Sequence, residues 1–358
     1  MRRKGENSMA KKRNIIVGQS GGPTSVINSS LAGVYKNAIE RGFDKVYGML
    51  HGIQGLLDEQ YIDLSTQIHS ELDIELLKRT PSAFLGSCRF KLPEIHEDKS
   101  IYEKIFDILN RLDIYAFIYI GGNDSMDTVD KLNRYFCRIK KDVKVIGVPK
   151  TIDNDLVMTD HTPGFGSAAK YLAVTVDEII RDTSIYAVKS VTIMEIMGRD
   201  SGWLTLAAAL PKLLGGSKPD IVALPEVAFD ENAFLEQINT LFQTTNNIVA
   251  VVSEGIRDQH GNYIGEDTKS GSTDIFGHQY LSGVGKYLEQ LIHARIGCKV
   301  RSIEVNLMQR CAAHLASQTD LDEAEQIGRA AVKRALEGVS GEMMIFRRVS
   351  DHPYQIEI

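Results

Sequence analysis

Short apolar runs that end at glycine or polar turns and lead into helix-forming stretches constrain this chain more than any other feature. Residues 14–18 ("NIIVG") lead into "QSGGPTSVIN" and a helical pattern over 26–41. Residues 116–120 ("AFIYI") lead into Gly121-Gly122 and a helical pattern over 125–137. Three further runs, 143–148 ("VKVIGV"), 191–196 ("VTIMEI") and 247–253 ("NIVAVVS"), end at "PKTIDND", "MGR" and "SEG". Near-continuous β-branched runs are typical of strands buried on both faces. Between the last two, Phe234, Leu235, Ile238, Leu241 and Phe242 fall on one face of a helix over 231–242. Another helix is expected over 321–337, stopped by Gly338. Strands alternating with helices specify an α/β protein with mostly parallel sheets. Such sheets bind ligands beyond the C-terminal ends of their strands, where each of these turns falls.

At 358 residues the chain is long enough for two domains. Its 47 acidic against 41 basic side chains leave a net charge of -6. Sequence-independent nucleic-acid binding is thereby disfavoured, since it needs a basic field to displace counterions. A small anionic substrate remains compatible, provided the positive charge is local. The four cysteines, Cys88, Cys137, Cys298 and Cys311, have no CxxC spacing and read as free thiols of a cytoplasmic protein. No apolar run reaches the roughly 18 residues of a membrane span, so no membrane association is expected. Residues 1–12 read as a disordered tail or tag, and their start, "MRRKGENS", lacks the apolar core of a signal peptide.

The turns differ in chemistry. Gly21 and Gly22 permit close backbone approach, and the amides of the following helix favour an anion. The same residues also suit a plain tight turn, and neither a Walker loop nor GxGxxG is present. In "IGGNDSMD", the glycine pair Gly121-Gly122 suits phosphate, whereas Asp124 equally reads as a helix N-cap. Asp127 reads as a favourable charge on the first turn. In "PKTIDND", an extended backbone would put Asp153 and Asp155 on one side and Asn154 on the other. Paired carboxylates suit a base and a metal, and an Asx-rich turn is the plainer alternative. Arg89, Arg199, Arg301 and Arg310 could supply local positive charge, although a single arginine is ordinarily a solvated surface residue.

Taken in order, "GGPTSVIN", "LGSCRF", "GGNDS", "PKTIDND", "MGR", "SEG" and "RSIEVNLMQR" resemble the phosphofructokinase family over about residues 13 to 345. The combination of "PKTIDND" with "MGR" is the most specific part. The resemblance implies two Rossmann-like lobes with the active site in the cleft, and transfer of phosphate to the 1-hydroxyl of fructose 6-phosphate with Mg²⁺. It places a donor-binding lobe at 13–165 plus 310–348 and a sugar-phosphate lobe at 166–309. Asp153 is then the general base, with Thr151 and Asp155 beside it. Gly21, Gly22, Arg89, Gly122, Asp124, Ser125 and Lys150 hold the donor. Met197, Gly198, Arg199, Glu254, Arg301 and Arg310 hold the sugar phosphate, and Asn123 and Asp124 the metal. A cytoplasmic homodimer or homotetramer is implied, one arginine reaching in from a neighbouring subunit.

ATP-using members of the family usually carry glycine where this chain has Asp124 and Lys150, and the pyrophosphate-using branch resembles it at both. A carboxylate near the α-phosphate of a nucleotide costs up to about 4 kcal/mol at roughly 4 Å and an effective dielectric near 20. Asp124 therefore disfavours ATP, and Lys150 adds a compact cation for a short donor. Asn123 stands where an aspartate is usual and weakens the expected metal set. Leu307 replaces a common histidine, and Lys189 or Ser190 stands near a common arginine. Sedoheptulose 7-phosphate is therefore an alternative acceptor. The competing readings are an ATP-dependent kinase and a non-catalytic sugar-phosphate sensor, the latter disfavoured by Asp153.

Overall fold

The computed structural model describes residues 13–265 and 283–358, so the expected tail at 1–12 lies outside the described residues. The chain divides into two compact units. The first comprises residues up to Lys150, Met158–Asp160 and Leu321–Ile358; the second comprises Thr151–Val157 and His161–Asp320.

The first unit begins with β1 (Asn14–Gln19), α1 (Ile27–Glu40), β2 (Val46–Met49), α2 (Gly52–Leu57) and β3 (Tyr61–Asp63). It continues through α3 (Glu71–Arg79), α4 (Lys99–Arg111), β4 (Ile114–Gly121), α5 (Asn123–Arg138) and β5 (Lys144–Pro149). Its sheet has the order β10-β5-β4-β1-β2-β3, β10 being Glu342–Met343 from the chain's end. All pairs are parallel except β2 with β3. Alternation along the strands assigns the two cores. Ile118 and Ile120 of β4 join Ile15 and Val17 on one face, and Phe117 and Tyr119 join Ile16 on the other. From β1 the chain leaves toward β2, and from β4 toward β5. The order therefore reverses between these adjacent strands, which makes their C-terminal ends the switch point of the sheet.

The second unit holds α6 (Phe165–Thr183), β6 (Ser190–Ile196), α7 (Trp203–Ala207), β7 (Ile221–Ala223) and α8 (Glu231–Leu241). It also holds β8 (Asn247–Ser253), α9 (Val284–Arg295), β9 (Lys299–Glu304) and α10 (Met308–Cys311). Its sheet is wholly parallel, in the order β7-β8-β6-β9. One face packs Ile193, Val252 and Leu288; the other packs Leu172, Met194 and Val251. The buried Asp320 carboxylate caps α6, accepting from Gly164 N at 3.0 Å, Ser167 N at 2.9 Å and Ser167 Oγ at 2.6 Å. The chain closes with α11 (Gln318–Leu336), β10 and a hairpin of β11 (Arg347–Asp351) and β12 (Tyr354–Glu357).

The expected crossings near Phe165 and Gln309 differ from this division, which cuts at Lys150 and at Asp320. The physical reason is local. β5 ends at Pro149, and Thr151 forms a bridge with Gly164, so "PKTIDND" is cut within itself. Ala168 and Ala312 likewise pack in a core of the second unit.

Candidate active site

The glycine turn after β1 is tied to two other segments of the first unit. Ser20 N donates to Ile120 O at 2.9 Å, and Gly21 N to Cys88 O at 3.0 Å. Ser87 Oγ donates to Gly21 O at 2.6 Å, which brings the segment bearing Arg89 against this turn. Gly21 has φ +75, and a Cβ on it would lie 3.0 Å from Lys150 Nζ. The Lys150 side chain is only 4% exposed, so its ammonium is held against the first glycine turn rather than in solvent. Its own amide donates to Gly121 O at 2.9 Å. Gly21, Lys150, Gly121 and the Cys88–Arg89 segment thus converge at the switch point, where a cation and helix amides together suit a phosphate.

The opening of α5 differs in detail from a capped helix. Gly122 is its N-cap, without a side-chain capping bond, and Asp124 lies in the first turn. Asn123 and Asp124 are exposed, while Ser125 is buried. Asp127 is more than a favourable helix charge: it pairs with the buried Lys131 at 2.7 Å, which also meets Glu94 at 3.2 Å.

In the second unit, Thr151 N donates to Pro163 O at 3.3 Å, and Thr162 Oγ1 to Thr151 O at 2.8 Å. Asp153 N donates to Thr151 Oγ1 at 3.1 Å. Asn154 has φ +55, so the acidic cluster is not extended and its side chains do not simply alternate. Ser201 Oγ donates to Asp153 O at 2.8 Å, tying this loop to the residues just after "MGR". At the strand ends, Gly198 N donates to Glu254 Oε1 at 3.2 Å and Glu254 N to Ile196 O at 2.8 Å. Gly198 has φ +131, and a Cβ there would lie 2.4 Å from Ser201 O. A Cβ on Gly255 would lie 1.8 Å from Arg199 O, so both glycines are required by close backbone approach.

Glu254 sits among charges. Burial pushes its carboxyl up, the Gly198 N–H opposes this, Asp153 and Glu195 add to it and Arg199 opposes it, leaving the group at about 7. Near neutrality Glu254 can therefore either donate or accept a hydrogen bond. Asp153, Arg199 and Glu254 form one electrostatic cluster.

Arg301 is not brought to these strand ends. It is exposed on the edge strand β9, in register with Thr192, roughly 16 Å along the strand from Met197. Arg310 is half-buried in α10. Asp155 is exposed.

Several positioning residues escaped the motif reading. Gln309 is fully buried and its Oε1 accepts from Met197 N at 3.2 Å. Gln19 and Asn28 are fully buried and bonded to each other at 2.9 Å. They accept from Leu85 N and Phe84 N at 2.9 Å each, and Asn28 donates to Thr80 O and Ser82 O. This network fixes the segment that leads to Arg89. The one available signal was an amide, Asn28, in the first turn of the helix that follows the glycine turn.

Among the described residues no three His, Cys, Asp or Glu side chains gather as a metal site. Asn123 and Asp124 instead offer one amide and one carboxylate oxygen at an exposed helix start. That set suits a hard cation that shares its coordination with phosphate and water. None of the four cysteines is in a disulfide, and no described helix is long and apolar enough to cross a membrane.

A family model described as "Phosphofructokinase" matches residues 14–335. "Pyrophosphate--fructose 6-phosphate 1-phosphotransferase" of Xanthomonas campestris pv. campestris (strain B100) is 42% identical over 347 residues, covering 96% of this chain and 82% of the relative. The protein of the same name from Halomonas elongata is 39% identical over 348 residues, with 96% and 82% covered. The solved pyrophosphate-dependent phosphofructokinase from Marinobacter aquaeolei superposes with a TM-score of 0.83 at 34% identity, covering 96% of this chain and 81% of its own.

Proposed function

This chain belongs to the phosphofructokinase family, and from that premise we propose that it moves a phosphoryl group from pyrophosphate to the 1-hydroxyl of fructose 6-phosphate. The observation that carries this reading is the buried Lys150 ammonium against Gly21, with Asp124 at the start of α5. The lysine is the cation for a short inorganic donor. The carboxylate stands where a nucleotide would need room and no negative charge.

Gly21, Gly22, Gly122, Ser125, Lys150 and Arg89 hold pyrophosphate in this reading. Met197, Gly198, Arg199, Glu254, Arg301 and Arg310 hold the sugar phosphate, with Thr151 and Asp155 beside the transferred group. Asp153 takes the proton of the 1-hydroxyl as the oxygen attacks phosphorus, the bridging P–O bond breaks, and orthophosphate leaves. Such a transfer depends on positioning and charge neutralisation more than on covalent chemistry. Asn123 and Asp124 would hold Mg²⁺ together with donor oxygens, the ion neutralising phosphoryl charge. The protein is cytoplasmic.

Arg301, remote from Met197 along β9, suits a site on a second subunit. Trp203 and Leu206 on α7, and Leu210 and Leu213 on the 3₁₀ turn that follows, are 52, 48, 43 and 81% exposed. Exposed apolar side chains of this size, close in sequence, support a homodimer or homotetramer.

The test is turnover with pyrophosphate, Mg²⁺ and a set of acceptors. Fructose 6-phosphate should be the better acceptor over sedoheptulose 7-phosphate, and Asp153→Asn should lose about 10²–10⁴-fold in rate. Full turnover by Asp153→Asn would overturn the assigned base.

A further inference from the structure

The residues that follow the family match, 336–358, include an element whose contacts reach the loop bearing the proposed base. Met158–Asp160 belong to the first unit, whereas the residues on either side of them belong to the second. What holds these three residues is the C-terminal segment. Asp160 N donates to Phe346 O at 2.9 Å, and Phe346 N to Thr159 Oγ1 at 3.0 Å. Arg348 grips the Asp160 carboxylate through Nη2 at 2.9 Å and through Nε at 3.2 Å to each oxygen. Arg348 is itself fixed: Nη1 donates to Asp351 Oδ1 at 3.1 Å, and its guanidinium lies over the Tyr354 ring at 5.3 Å. The Tyr354 hydroxyl donates to Glu323 Oε1 at 2.6 Å, and Glu323 is buried on α11.

Apolar burial does not hold this tip. Val157 and Met158 are 78% and 84% exposed, although Ile152, Leu156 and the Phe346 side chain beside them are buried. The backbone also needs holding, because Asn154 and Met158 have φ of +55 and +69, a region L-residues avoid. Strained backbone of this kind persists where its surroundings over-determine it. The start of the loop is determined by the Thr151–Gly164 bridge and by Ser201. Its middle is determined by the Phe346 backbone and by Arg348, the one side chain of the C-terminal segment that grips Asp160.

We infer that Arg348 is a positioning residue for phosphoryl transfer: by gripping Asp160 it fixes the loop that begins with Thr151 and Asp153. The inference rests on the reading of Asp153 as general base. A simple surface ion pair contributes little, but a planar two-pronged grip sets direction as well as distance.

The experiment compares wild type, Arg348→Ala and Arg348→Lys by steady-state kinetics and by amide hydrogen exchange. Arg348→Ala should lower kcat about ten-fold or more while KM for both substrates stays within about two-fold, since small misplacements of reacting groups act on the rate. Arg348→Lys should recover part of kcat, having the charge without the fork. Exchange over residues 151–164 should accelerate in Arg348→Ala, with β1 and β4 unchanged. Wild-type kcat in Arg348→Ala would overturn the inference, as would unchanged exchange over 151–164. A wild-type protein with no turnover would instead refute the proposed activity, and the exchange measurement would still decide whether Arg348 holds the loop.

Discussion

Glu254 is a residue whose chemistry burial has changed. The raised carboxyl of Glu254, at about 7, has a definite consequence for stability. In the unfolded chain this group loses its proton near pH 4.3, while the folded protein still holds it. The native state binds more protons through that window, so stability falls as pH rises from about 4.3 to 7 and is level above. The contribution is up to about 4 kcal/mol. Denaturant titrations at pH 5 and 8 should show Glu254→Gln losing this part of the slope relative to wild type. An identical slope in the variant would contradict the assignment. At this scale the motifs were legible wherever a charged residue is unusual in its setting, as with Asp124 and Lys150. They were not legible where a residue acts through a distant partner. Gln309 meets Met197 112 positions away, and Asn28 meets Ser82 54 positions away. Nothing in their immediate sequence announces either contact.

Among the elements, α1 and α11 approach each other closely at two glycines. A Cβ on Gly33 would lie 2.0 Å from Glu325 O, and one on Gly328 would lie 2.1 Å from Ser30 O. The two glycines therefore let the helix backbones touch. Gly33→Ala and Gly328→Ala should each destabilise the protein by about 1–3 kcal/mol through forced separation, read as a lowered Tm. An unchanged Tm for both would show that the helices separate without cost. Strand β8 lies at the expected residues, and β4, β5 and β6 within two residues of them, because buried parallel strands are unbroken apolar runs. By contrast β9 reads "KVRSIE", an edge strand with charged residues, and β10 has only two residues. Neither carries a periodic signal. The hairpin of β11 and β12 is mostly exposed and lacks the apolar run that marks a buried strand.

At the scale of the whole molecule, the exposed apolar side chains of Trp203, Leu206, Leu210 and Leu213 are where assembly is expected. Light scattering should give a multiple of the chain mass, and Leu213→Asp should shift it toward the single chain; a monomeric wild type would contradict the assembly. The central claim concerns the donor, and it separates this chain from ATP-using members of its own family. The most direct measurement is fructose 1,6-bisphosphate formation with pyrophosphate and with ATP at matched Mg²⁺, on wild type and on Asp124→Gly/Lys150→Gly. Wild type should turn over with pyrophosphate and hardly with ATP, and the double variant should shift the ratio toward ATP. Turnover of the wild type with ATP and not with pyrophosphate would contradict the account.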